Sequence, residues 1–222
     1  MLAENLKHVR EEIASSAERA RRDPGEVTLV AVTKGFPVAR IREAIALELR
    51  TLGENRVQEA VAKIDELGTE EATWHLIGHL QSNKVRFIEG RFSMIQSIDS
   101  RGIVEALGRR VQGPVDLLIE VNVAEEPQKT GAAPAELRAI AEAIKPHRQL
   151  RLRGLMTIAP MTPEPESVRP VFRQLRALRD EASQRLGIPL PVLSMGMTDD
   201  YQIAVEEGAT MLRLGRALFG PR

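Results

Sequence analysis

The sequence predicts a single (β/α)8 barrel of the TIM type with one extra helix at its amino terminus. The chain has 222 residues, a length that α/β barrels commonly occupy as one domain. Eight apolar segments of strand length alternate along it with segments of helical periodicity, which is the number of strand–helix units in such a barrel. An open doubly wound sheet is the alternative. The GxGxxG turn expected after the first strand of that fold is absent.

The first element is predicted to be a helix over residues 1–23 that packs on the barrel. Leu2, Leu6, Val9 and Ile13 recur at helical spacing and share one face. Charged residues occur throughout the segment, which is not the pattern of a secretory signal peptide. Together with this helix, the predicted barrel forms a single domain that covers residues 1–222.

Eight strands follow, each a short run rich in β-branched or other apolar residues. Their predicted bounds are 27–33, 51–54, 74–78, 94–99, 115–123, 152–158, 191–195 and 211–215. The connecting segments, such as VARIREAIALEL and RVQEAVAKIDEL, have helical periodicity. Pro170 falls inside the segment before the seventh strand, so that helix either begins there or is kinked there.

Composition narrows the classes of partner. Thirty-one Lys and Arg residues balance 31 Asp and Glu residues, so the chain lacks the basic surface that binds nucleic acid or anionic membranes. No apolar run reaches the roughly 18 residues of a membrane-spanning helix. The absence of cysteine excludes disulfides and thiolate chemistry. His75 and His79 have i, i+4 spacing without an HExxH motif, so no metal site is expected. These features predict a cytoplasmic protein with a small-molecule partner.

The residues that follow the strands meet at one face of a barrel, where active sites of this fold are built. Lys34 follows the first predicted strand, and Arg213 lies in the eighth. LSMGMTDD follows the seventh strand and RLGRALFG the eighth, so two glycine turns lie side by side. Gly196 and Gly215 each resemble ordinary turn glycines. Their joint position favours a phosphate site, because glycine lets backbone N–H groups approach an anion closely.

A lysine across the barrel mouth from a phosphate site indicates covalent chemistry. A neutral amine attacks an aldehyde or ketone to give a Schiff base, and burial lowers the pKa of an amine toward the range where this occurs. Pyridoxal 5'-phosphate (PLP) meets both requirements, with its aldehyde on Lys34 and its phosphate on the glycine turns. A Schiff-base aldolase acting on a phosphorylated sugar would meet them too. The argument against the aldolase is that Lys34 follows the first strand, opposite the usual place of the lysine in such barrels. This argument rests on fold analogy alone.

A series of motifs resembles the pyridoxal-phosphate homeostasis proteins. In chain order they are AVTKGFP, LGENRVQEA, WHLIGHLQSNK, SIDS, LLIEVNV, KTG, LRGLMTI, LSMGMTDD and LRLGRALFG. The resemblance runs from about Val27 to Gly220 and implies a single barrel similar to the amino-terminal domain of alanine racemase. It also implies that Lys34 holds PLP as a Schiff base.

The resemblance further implies which residues bind the cofactor. Ser194 and the backbone around Met195, Gly196, Gly215 and Arg216 would hold the phosphate. Arg213 would face the pyridine nitrogen, and Asn55 and Met156 would line the ring. Three positions depart from the commoner family pattern: Arg216 replaces a threonine or serine, Arg56 an aromatic residue and Gln96 a histidine.

Arg213 limits the chemistry that this arrangement implies. An always-charged guanidinium cannot sit beside a protonated pyridinium, so the ring stays neutral and is a weaker electron sink. That disfavours transamination and decarboxylation and leaves racemisation, which needs a second base opposite Lys34. Tyr201 is more typical of a packing residue and His79 of a hydrogen-bonded loop residue. Because the sequence ends at Arg222, directly after the predicted barrel, we expect no second domain of the kind that supplies the opposing base in the racemases this barrel resembles.

The predicted function is therefore intracellular homeostasis of PLP, by buffering or delivery, and not enzymatic turnover. An amino-acid racemase that uses PLP is the alternative. The expected partners are PLP and apo forms of PLP-dependent enzymes. Exposed charge on most helices favours a monomer.

Overall fold

The structure is a computed structural model that describes residues 1–124, 126 and 130–221. Eight parallel strands form a closed barrel in the order β1 to β8, and β8 pairs with β1. This confirms the predicted fold class. Lys129 of the KTG motif and Arg222, the last residue of the predicted domain, lie outside the described residues.

All eight predicted strands are present, most of them slightly shorter than predicted. They are β1 Thr28–Val32, β2 Thr51–Glu54, β3 Thr73–Leu76, β4 Met94–Ile98, β5 Val115–Glu120, β6 Leu150–Met156, β7 Val192–Ser194 and β8 Met211–Leu214. The fifth prediction extended to residue 123 because the apolar run continues. Val121 and Val123 are buried, but they lie in the loop after β5, where Val121 forms an isolated bridge with Ala132.

The helices lie outside the barrel. They are α1 Leu2–Arg19, α2 Val38–Ala46, α3 Val57–Leu67, α4 Arg101–Arg110, α5 Leu137–Ile144, α6 Arg169–Leu186, α7 Tyr201–Glu206 and α8 Arg216–Phe219. A 3-10 helix, Ser82–Phe87, follows β3. Pro170 lies in the first turn of α6, so the helix begins there and is not kinked.

Helix α1 confirms the predicted amino-terminal helix and packs against α7 and α8. Its four predicted apolar residues, Leu2, Leu6, Val9 and Ile13, are buried. The helix ends at Arg19, before residue 23, because Pro24 starts a separate 3-10 turn that the Asp23 side chain caps.

The core has two parts because successive side chains of a strand point to opposite faces. Outward-facing side chains pack under the helices, and Trp74 and Phe172 are among the largest. A smaller cluster fills the barrel and consists of Val30, Met94, Leu118, Met156 and Met211. No helix in the described ranges is long and apolar enough to cross a membrane.

Candidate functional site

Lys34 lies at the corner of a tight turn directly after β1. The Phe36 N–H donates to the Thr33 carbonyl at 3.0 Å and closes this turn. Gly35 occupies its third position with φ 76°, a conformation that glycine adopts without strain. The turn therefore explains why a glycine follows the lysine, and it leaves Lys34 half-buried at the carboxyl-terminal rim of the barrel.

The turn that carries Lys34 is next to the end of β8. Val30 of β1 is in register with Arg213 of β8, and a Cβ on Gly215 would lie 3.5 Å from Val32 Cβ. The Phe36 and Phe219 rings also pack together, with their centroids 4.8 Å apart. The expectation that the lysine lies across the mouth from the eighth-strand turn is thus wrong. Closing the barrel makes the first and last strands neighbours.

Two turns meet beside Lys34 at the ends of β7 and β8. Gly196 has φ 96°, and a Cβ on it would lie 2.6 Å from Ala204 Cβ, so neither the backbone nor the packing admits a side chain. The Thr198 hydroxyl accepts a hydrogen bond from the Ala217 N–H of α8 at 3.2 Å. The β7 turn and the start of α8 are therefore tied together.

Arg213 is a buried cation among neutral partners. Its side chain is 4% exposed, and it donates to Ser194 Oγ at 2.6 Å and to the Thr157 carbonyl at 2.8 Å. No ion pair is formed by Arg213 within the described part of the chain. Burial lowers its pKa to about 10, although the charges of Glu120 and Asp200 oppose this shift. The guanidinium stays charged at neutral pH, and burying it without a paired anion is costly.

Behind Arg213 a chain of hydrogen bonds crosses the inside of the barrel. Arginine can only donate, so Ser194 Oγ accepts from Arg213 and donates its own proton to Gln96 Oε1 at 2.6 Å. Gln96 Nε2 lies 3.0 Å from His75 Nδ1. Because an amide nitrogen only donates, Nδ1 is the acceptor and the imidazole proton is on Nε2. Burial lowers the pKa of His75 to about 4, which keeps this acceptor neutral.

The side of the mouth formed by the ends of β3, β4 and β5 carries ionisable side chains. His79 Nδ1 lies 3.0 Å from Asp99 Oδ2, and the buried Glu120 accepts from the Thr130 hydroxyl at 2.6 Å. Burial raises the pKa of Glu120, while the Thr130 hydrogen bond and the charge of Arg213 lower it. His79 is thus a hydrogen-bonded residue at the mouth.

The structure brings most of the predicted site residues to this rim. Met156 lies inside the barrel below it, and Asn55 packs its backbone against the β3 end, where a Cβ on Gly78 would lie 2.3 Å from the Asn55 carbonyl oxygen. The Met195 side chain packs in the outer core, so only its backbone faces the rim. The Arg216 side chain is exposed and pairs with Asp199 Oδ2 at 2.5 Å.

Two hydroxyl residues lie in or next to the β7 turn. The prediction that Ser194 holds the phosphate stays a prediction, and in the structure its hydroxyl lies against Arg213 and Gln96. The sequence predicts Thr198 as the N-cap of the helix that follows β7, because a hydroxyl residue there precedes DDYQIAVEEG. The helix cap is Asp200, and α7 begins at Tyr201.

Comparison with known proteins agrees with this geometry. A sequence model of the family described as "Alanine racemase, N-terminal domain" matches residues 5–222. A pyridoxal phosphate homeostasis protein of Pseudomonas aeruginosa is 44% identical over 224 residues, covering 100% of this chain and 96% of the relative. One from Aquifex aeolicus is 41% identical over 225 residues, covering 99% and 97%. The structure of PipY of Synechococcus elongatus with PLP bound aligns with a TM-score of 0.85 at 38% identity, covering 99% of this chain and 100% of that chain.

Proposed function

This chain belongs to the alanine racemase N-terminal domain family and, within it, to the pyridoxal phosphate homeostasis proteins, and on that premise we propose that it binds PLP and buffers or delivers it. The PLP-bound structure of PipY, a full-length match, supports the same cofactor. PLP supplies an aldehyde that condenses with an amine, together with an anionic phosphate and a pyridine nitrogen.

One observation carries the assignment of the site: the turn bearing Lys34 lies next to the Gly215 turn. The aldehyde and the phosphate-bearing arm of PLP are on neighbouring ring carbons. A lysine and an anion-binding turn must therefore be neighbours to engage both groups, as the ends of β1 and β8 are. Lys34 is the proposed point of Schiff-base attachment.

The remaining residues fit the other two groups of the cofactor. Backbone N–H groups around Met195, Gly196, Gly215 and Arg216 would donate to the phosphate, with Thr198 as a further hydroxyl. Arg213 would donate to the pyridine nitrogen and keep it unprotonated. The guanidinium has only neutral partners in contact, so a ring lone pair is a suitable acceptor. Asn55 and Met156 would line the ring.

We propose that turnover of a substrate is not the main activity. Racemisation needs a base on the face opposite the lysine, and Tyr201 is 5% exposed and packs in the outer core. The alternative, an amino-acid racemase, draws support from the His79–Asp99 pair at the mouth. Deuterium uptake at Cα of L- and D-amino acids at about 1 to 1000 per second, the usual enzymatic range, would favour the racemase.

Delivery to apo forms of PLP-dependent enzymes, by a monomer in the cytoplasm, completes the proposal. The formal net charge is zero and charged side chains cover most helices, so the proposal includes no nucleic-acid or membrane partner.

Lys34→Ala tests the attachment site. Wild-type protein mixed with PLP is expected to absorb as a protonated Schiff base in the visible range, and Lys34→Ala is expected to lose that band. Lys7→Ala, an exposed lysine of α1, is the matched control and should keep it. A band of unchanged intensity in Lys34→Ala would overturn the assignment.

A further inference from the structure

The turn that carries Lys34 is held from behind by helix α3. Lys63 is 7% exposed, an uncommon degree of burial for a lysine. Its ammonium group donates to the Thr33 carbonyl at 2.8 Å, to Glu54 Oε1 at 2.7 Å and to Glu59 Oε1 at 2.7 Å. A lysine has three N–H donors, and all three are therefore used.

These contacts fix both peptide groups that flank Lys34. On the amino-terminal side, Lys63 bonds the carbonyl of Thr33, the same carbonyl that closes the turn. On the carboxyl-terminal side, the Gly35 N–H donates to Glu59 Oε1 at 2.6 Å. Glu59 and Lys63 are four residues apart and lie on one face of α3, where such a pair is favourable.

Glu54 completes the group on the strand side. It is fully buried and accepts at Oε1 from Lys63 and from the Thr33 hydroxyl at 2.5 Å. Its second oxygen, Oε2, is buried without a hydrogen-bond partner among the described residues. Burial of a carboxyl group is tolerated here because Lys63 lies against it. The ion pair with Glu54 therefore fixes the position of the Lys63 ammonium group.

We propose that Lys63 is a positioning residue for Lys34: together with Glu59 it fixes the turn so that the Lys34 amine meets the aldehyde of PLP in a reactive geometry. In that reaction the neutral Lys34 amine forms a C=N bond to the aldehyde carbon, the C=O bond breaks, and the oxygen leaves as water with the two amine protons. Lys63 acts from α3, outside the barrel, and its three donors are engaged by the protein. The inference rests on the proposed function, because it requires Lys34 to be the attachment site.

The test compares two ligands that share a phosphate and a ring. Pyridoxine 5'-phosphate carries an alcohol in place of the aldehyde and cannot form a Schiff base. Lys63→Met is expected to weaken PLP binding about tenfold, because the turn that carries Lys34 loses its charged hydrogen bonds and no longer holds the amine in place. The affinity for pyridoxine 5'-phosphate is expected to stay within about twofold of that of wild type. Lys63→Arg retains a cation and is expected to recover part of the difference.

Arg169→Met is the matched control, because Arg169 pairs with Glu166, Glu206 and Glu207 on the outer surface, away from the Lys34 turn. Arg169→Met should lower the melting temperature without changing the ratio of the affinities for PLP and pyridoxine 5'-phosphate. Lys63→Met leaves Glu54 poorly paired, so Glu59→Leu, at a partly exposed position, carries the same test if the first variant does not fold.

Equal weakening of both ligands by the Lys63 and Glu59 variants, or no weakening of either, would overturn the inference. Failure of the proposed function gives a different result, since wild type would then show no Schiff-base band, or Lys34→Ala would keep the band. If Lys34→Ala loses the band while both α3 variants bind PLP like wild type, only the role of Lys63 is wrong.

Discussion

Ser194 is the residue for which sequence and structure suggest different roles. Its hydroxyl accepts from Arg213 and donates to Gln96, so it could bind a phosphate only by giving up one of these bonds. The motif LSMGMTDD makes Ser194 a natural candidate for the phosphate, since it precedes a glycine turn. That assignment stays a prediction, and the geometry suggests a role at the ring end of the cofactor.

Ser194→Ala separates the two roles. If Ser194 positions Arg213, the variant is expected to weaken PLP and unphosphorylated pyridoxal by the same factor, about tenfold for a charged hydrogen bond. Thr198→Val is the companion variant and is expected to weaken PLP more than pyridoxal. Both affinities can be measured by titration followed by absorbance. A selective loss of PLP binding in Ser194→Ala would instead support the phosphate role.

The reactive and ligand-binding residues at the strand ends can be predicted from the sequence. The residues that hold them in place through hydrogen bonds cannot. Lys34, Arg213 and the two glycines stand out because their types are unusual at the end of an apolar strand. Gln96 and Ser194 are 98 positions apart in the chain, and nothing local signals their contact. Lys63 looks like an ordinary surface lysine in an amphipathic helix until the barrel places it against Glu54 and Thr33.

At the scale of elements, the alternation of apolar and helical segments was sufficient to find every strand. The errors are at the ends, because the sequence shows which residues are buried and not where ladder hydrogen bonds stop. Val121 and Val123 are buried in a loop, so they extended the fifth prediction. The connection after β3 forms a 3-10 helix, Ser82–Phe87, in place of an α-helix.

The β7 turn gives an element-scale prediction. Gly196→Ala is expected to lower the free energy of unfolding by about 2 kcal/mol or more, from the positive φ and from overpacking against Ala204 and Leu212. It should also weaken PLP binding, since the turn is proposed to hold the phosphate. Urea unfolding and the absorbance titration measure the two effects.

Gly102→Ala is the matched control for that substitution. Gly102 lies in α4 with nothing within 4 Å of a built Cβ, so alanine there should stabilise the protein by about 0.5–1 kcal/mol through helix propensity. If the two variants unfold with the same free energy, the turn does not require glycine.

For the whole molecule, the decisive feature is closure of the barrel. Length and the count of units predict a closed barrel, but the prediction that the lysine lies across the mouth from the phosphate turns places strands one and eight on opposite sides. The closed order makes them neighbours. Because the barrel is closed, the Arg213–Ser194–Gln96–His75 chain of hydrogen bonds crosses its interior. Protonation of His75, at one end of that chain, therefore affects the stability of the whole fold.

His75 connects that interior to the stability of the whole molecule in acid. Burial lowers its pKa from 6.5 to about 4 in the folded protein. Between these values the unfolded chain binds a proton that the native protein does not, so the free energy of unfolding falls as the pH drops from about 6.5 to about 4 and the contribution then levels off. The slope from this group approaches about 1.4 kcal/mol per pH unit. The carboxyl groups of Glu54, Glu120 and Asp200 have raised pKa values and act in the opposite direction.

Because of these opposing carboxyl groups, the difference between wild type and His75→Gln is the informative quantity. The variant keeps an acceptor for Gln96 and removes the titrating group, so its free energy of unfolding is expected to fall less steeply between pH 6.5 and 4 by up to one proton per molecule. Urea unfolding at a series of pH values measures this slope, and His8→Gln on α1 provides a surface control. Parallel curves for wild type and His75→Gln would mean that the interior chain does not end on a neutral imidazole.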